Sequence, residues 1–83
     1  MTAEVELHFL LDAFKERMRI FHDGEDDNLS RMLESSEQAI FQTVGTTNHN
    51  PQVRELILER ARYAYNDQVE FFYQNFQGDL MAL

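Results

Sequence analysis

The chain has 83 residues, seven Lys and Arg against fifteen Asp and Glu for a formal charge of −8, seven Phe, three Tyr and no Cys. A single small domain of this length buries roughly 60–65% of the surface its unfolded chain exposes, which leaves little room for a deep enzyme cleft, while 43% hydrophobic residues argue against disorder. The missing cysteine excludes a disulfide scaffold and Cys-ligated metal sites, and a pI of about 4.6 has the wrong sign for gripping phosphates or an anionic membrane surface.

No apolar run approaches the roughly 20 residues of a membrane span, and no basic stretch leads into an apolar one at the start, so the sequence reads as a soluble chain without a signal peptide. One proline and three glycines punctuate it: Gly24 in the acidic turn over 22–27, Gly45 at the head of a polar stretch that Pro51 closes, and Gly78 before the last five residues.

The first segment covers 7–19, where Leu7, Leu11, Phe14 and Met18 recur at helical spacing. Ahead of it, Val5, Leu7 and Phe9 alternate with Glu6 and His8, a strand-like period. The expectation is therefore an extended start and a helix beginning near Leu10. The second segment covers 27–43, with Leu29, Met32, Leu33, Ser36, Ile40 and Val44 on one stripe. Asp26 or Asp27 suits its N-terminus and Gly45 the position just past its C-terminus. Ser36 within the stripe fits either close approach of another helix or a tolerated small residue.

The third segment opens with Asn50 as N-cap and Pro51 at the first helical position, and no helix breaker follows before about Phe76. Such a helix would be about 39 Å long, against a diameter of roughly 30 Å for a globule of this size, and would overhang its own domain. Val53, Ile57, Ala61, Ala64 and Phe71 share one side. Leu58, Tyr65, Val69, Phe72 and Phe76 form a second stripe, and Glu55, Glu59, Arg62, Asn66 and Glu70 a solvated one. The alternative is a central helix that buries both apolar stripes internally, which suits its N-terminal part best. Beyond Val69, the cluster Phe71, Phe72, Tyr73 and Phe76 points to a partner. The architecture expected is an all-α single domain over 1–83, two short helices packed on one long C-terminal helix, with a flexible tail from about 77. The candidate protein-interface residues are Tyr65, Val69, Phe71, Phe72, Tyr73 and Phe76.

The residues of catalysis are hard to assemble. His8, His22 and His49 show no metal spacing, no glycine-rich phosphate loop is present, and Ser30, Ser35 and Ser36 have no histidine partner suggested by sequence. The acidic run over 23–27 lacks the ligand pattern of a calcium loop and reads as a solvated turn with a helix cap, or as an incidental ion site. Lys15, Arg17, Arg19, Arg31, Arg54, Arg60 and Arg62 are interleaved with acids, a pattern for ion pairs. The expectation is no enzyme, no cofactor and no metal.

Two stretches carry a resemblance: Leu11 to His22 with Glu25, Asp26, Asp27 and 29–40, and the run from Pro51 to Asn66. A short helix ending in Met18-Arg19-Ile20, an acidic turn, a helix with small residues, a polar loop and a long aromatic-bearing helix starting near a proline resemble the head–tail connector (adaptor, or head-completion) proteins of long-tailed bacteriophages, over roughly 9–72. The resemblance implies a structural virion protein at the head–tail junction, assembled in the host cytoplasm. It would form a homo-oligomeric ring beneath the portal protein, extend the DNA channel without sequence-specific DNA binding, and receive a stopper or tail-completion protein. The rival reading is a stand-alone acidic helical module or small regulator that sequesters a basic or helical partner.

Overall fold

The described residues form four α-helices: α1 (Thr2–Met18), α2 (Asp26–Val44), α3 (Pro51–Tyr65) and α4 (Val69–Met81). The computed structural model describes residues 2–45, 47 and 49–82, with side chains from residue 9 onward, and no strand occurs among them. The all-α class read from the helical stripes is what the chain adopts.

α1 begins at Thr2, not near Leu10. Alternation over five residues cannot make a strand without a neighbour to pair its backbone, whereas a helix satisfies its own N–H and C=O groups. The helix ends in a Schellman motif: Ile20 N–H donates to Lys15 O (2.8 Å), Arg19 N–H to Glu16 O (3.2 Å), and Arg19 takes a left-handed φ of 58°. Ile20 then turns into the core.

α2 starts behind Glu25, whose side chain makes no cap bond. The acids of the turn instead meet Lys15, whose Nζ donates to Asp26 Oδ1 (2.6 Å) and Asp23 Oδ1 (3.0 Å). Asp26 and Asp27 still place negative charge in the first turn, which complements the helix dipole. Gly45, at φ 74°, closes α2 by donating to Phe41 O (2.9 Å). Leu29, Leu33, Ser36 and Ile40 are buried as the stripe requires, with Met32 and Val44 at its half-buried edge.

α3 starts where Asn50 and Pro51 say it should: Asn50 Oδ1 accepts from Val53 N–H (2.9 Å), and Pro51 occupies the first turn. It runs antiparallel to α2, with Tyr65 near Glu25, Arg60 near Ser36, and His49 near Glu37. It packs against all three other helices and buries Val53, Leu56, Ile57, Leu58 and Ala61.

The long helix expected over 51–76 is divided. Gln68 N–H donates to Tyr63 O (2.8 Å) and Asp67 N–H to Ala64 O (3.0 Å), with Asp67 at φ 59°. This is the same ending as that of α1, built without glycine. α4 folds back along α3, so the overhang does not exist. Two short helices on one long one remains an approximation, with α3 and α4 in the place of the long helix. The physical reason is burial. Folding back encloses Phe72 completely, and Leu80 nearly so. Each such side chain contributes roughly 1.5–3 kcal/mol, more than a few helical residues at 66–68 contribute by propensity. The tail expected from about 77 is the last turn of α4, anchored by Leu80. Phe76, at φ −115° and ψ 15°, interrupts α4 midway. The molecule measures 35 × 30 × 16 Å, and among the described residues α1 and α4 each pack on α2 and α3 but not on each other.

Candidate interaction surface

The six residues singled out from sequence are brought close together but do not share one exposure. Phe72 is fully buried, stacked on Phe76 (centroids 5.0 Å apart, planes at 23°), with Tyr63 and Tyr73 edge-on to it at 5.9 and 5.1 Å. Tyr73 is half-buried, and its hydroxyl accepts from Arg60 Nε (2.9 Å). Tyr65 packs edge-on to Phe14 at 6.2 Å, and its hydroxyl donates to Glu25 Oε2 (3.2 Å). Val69 and Phe76 are half-buried, and Phe71 alone of the six is exposed, at 47%.

Three other large apolar side chains face outward without having been singled out: Phe21 (82%), Met81 (79%) and Phe9 (54%). Phe21 follows the Schellman ending of α1 and belongs to no helical stripe. Phe9 fell in the stretch expected to be extended, and Met81 in the expected tail. Phe9 carries the Arg54 guanidinium over its ring at 5.4 Å.

Two shallow grooves flank α4. One, of about 440 Å³, lies between α2 and α4 and is lined by Thr43, Glu70, Tyr73, Leu80 and Met81 among others. The second, of about 270 Å³, runs between α3 and α4 over Leu56, Phe76 and Ala82, with Glu55 and Asp79 on its rim.

Charged side chains are organised chiefly around α1 and α3. Arg17 forks onto Glu55 (2.8 and 3.1 Å) and also reaches Glu59 (2.8 Å), whose other oxygen accepts from Arg62 (2.7 Å). The hydrogen bond from Arg17 holds the Glu55 carboxyl below its ordinary range, and Glu55 in turn raises the Arg17 guanidinium. Glu59 likewise raises Arg62, and the bond to Asp26 raises Lys15. Burial, reinforced by Glu25, raises the Tyr65 hydroxyl.

The buried polar positions tie helices together. Ser36 is fully enclosed and accepts from Arg60 Nη1 (3.0 Å), so one guanidinium links α2, α3 and α4. Buried Glu37 meets His49 Nε2 at 2.6 Å, with Phe41 edge-on to the imidazole at 5.2 Å. The spacing of twelve residues from α2 into the following loop gave no sequence signal for that pair. His22 is exposed, and the side chain of His8 lies outside the described residues. No three His, Asp or Glu among the described residues converge as metal ligands would, and no described helix is long and apolar enough to cross a membrane. Comparison of the chain with known protein families, with curated proteins and with solved structures found no match.

Proposed function

We propose that this chain is a non-enzymatic assembly subunit of the head–tail connector type, forming a ring beneath a phage portal and offering a platform to a stopper or tail-completion protein. The observation that carries the reading is the placement of its exposed apolar side chains. Phe9, Phe21, Phe71 and Met81 are spread over three elements, α1, the α1–α2 turn and α4. A regulator with a single partner needs one patch. A ring subunit meets two like neighbours and an unlike ring above or below, and so needs apolar contacts on several edges. Of the elements named for the resemblance, a helix closed at Met18-Arg19-Ile20, an acidic turn, α2 and a helix started by Pro51 are present, while the long aromatic-bearing helix is divided into α3 and α4. Acidic residues exposed over much of such a ring would repel DNA and let it pass without sticking.

The test is native mass spectrometry of the full chain with and without a purified portal ring from a long-tailed phage. The expected result is a cyclic oligomer of the chain that co-migrates with the portal. A monomer that stays monomeric in both conditions overturns the reading in favour of a stand-alone interaction module.

A further inference from the structure

α4 presents two unlike sides. Phe72, Phe76 and Leu80 define the inward one. Opposite them, Phe71, Gln74, Gly78 and Met81, spaced three, four and three residues apart, are all exposed. Phe71 and Gln74 precede the interruption at Phe76, and Gly78 and Met81 follow it.

Gly78 lies between Phe71 and Met81, inside a helix, and its φ is not left-handed. A Cβ built there would meet nothing within 4 Å. Glycine at a helical position costs roughly 0.5–1 kcal/mol relative to alanine, and nothing within the fold needs the missing side chain. What glycine does provide is room for another backbone to come close from outside.

The charge around the stripe has one sign. Residues 63–83 include Asp67, Glu70 and Asp79 and no Lys or Arg. Glu70 lines the groove toward α2 and Asp79 the groove toward α3, and among the described residues no cation pairs with either.

We infer that the outer stripe of α4 docks a cationic, apolar-faced helix of an unlike partner chain. Its apolar side packs on Phe71 and Met81, its backbone comes closest at Gly78, and its Lys or Arg side chains reach Glu70 on one flank and Asp79 on the other. A second copy placing its own α4 here would bring like carboxylates together, so the occupant is an unlike chain. The inference deepens the assembly reading and rests on it: α4 faces the partner ring, and other edges face the neighbouring copies.

The experiment titrates the isotope-labelled full chain with an 18-residue helical peptide of Leu and Lys, and with the same pattern built of Leu and Glu. Chemical shifts locate the contact. The expected result is binding of the Leu/Lys peptide alone, weakened by salt, with shifts concentrated over 70–82. Phe71→Ala and Gly78→Gln each weaken it at least tenfold, while the melting temperature of Gly78→Gln equals or exceeds that of the parent. Absence of binding, shifts centred on the acidic turn over 23–27, or undiminished binding by Gly78→Gln overturns the inference. The two proposals fail separately. A chain that takes the peptide on α4 but never joins a portal ring loses only the connector reading. If Gly78→Gln joins the ring as readily as the parent chain, only the docking face is lost.

Discussion

α3 has a different neighbour on each side, and the two are held by different physics. Toward α1 it presents Glu55 and Glu59 to Arg17, with Arg62 on the other oxygen of Glu59 and Phe14 packed on Tyr65. Toward α4 it presents Tyr63 and Leu56 to Phe72 and Phe76, and bonds from Arg60 and Asn75 add polar contact. The α1 side joins an apolar core to a belt of charges that titrate and are screened by salt. The α4 side depends on aromatic packing, which neither pH nor salt alters directly. A helix with no glycine or proline to end it is broken and folded back for that packing, so the aromatic side also determines the topology.

The largest effect is expected from Phe72→Ala. Truncating a fully buried ring costs roughly 3–5 kcal/mol, or more than 10 °C in a domain of this size, and removes the main reason for α4 to fold back. Phe14→Ala should cost as much in a thermal melt, but leave α4 amides protected from hydrogen exchange where Phe72→Ala exposes them. Arg60→Met comes next. It strands the enclosed Ser36 hydroxyl and removes the bond to Tyr73, for about 2 kcal/mol by denaturant titration. Tyr73→Phe should lose about half of that.

Acid sharpens the comparison from the α1 side. The folded-state pKa of Glu55 is lowered, so the Arg17 pair contributes its full stability above the ordinary carboxylate value of 4.5 and loses it as pH falls below that. The pair is largely exposed and carries less than about 1 kcal/mol. Glu55→Gln should flatten that part of the acid melting profile and leave the α4 signals in place. Lys15 and Tyr65 are shifted upward, so their contributions are whole below pH 10.5 and 10.0 respectively and fade as pH rises beyond those values. The smallest effect belongs to the two left-handed residues that are not glycine. Arg19→Gly and Asp67→Gly relieve the same backbone strain, and each should raise the unfolding free energy from denaturant titration by about 0.5 kcal/mol.

Those two residues also explain what could be read in advance. Three helices end in a left-handed residue, and only the ending at Gly45 was legible, because glycine declares its conformation in the sequence. Asn50 and Pro51 declared the start of α3 equally well, and the stripe of α2 gave its buried face directly. Arg and Asp adopt the left-handed conformation because the next residue must turn, Ile20 into the core and Gln68 toward α4. That is a tertiary demand no local pattern encodes. The extended start failed for a related reason, since five alternating residues do not say whether a pairing strand exists. At the surface, the aromatic cluster was found but its exposure was not. Phe72 and Phe71 are adjacent, and only the fold-back decides that one is enclosed and the other offered outward.

The lack of contact between α1 and α4 among the described residues bears on how quickly the chain reaches this state. Each helix packs mainly on the one before or after it in sequence, and among the described residues nothing joins α1 to α4. Loop closure therefore costs little entropy at each step, and small helical domains of such local topology fold in microseconds to milliseconds. Stopped-flow refolding should therefore be complete within milliseconds, at a rate that does not change with protein concentration.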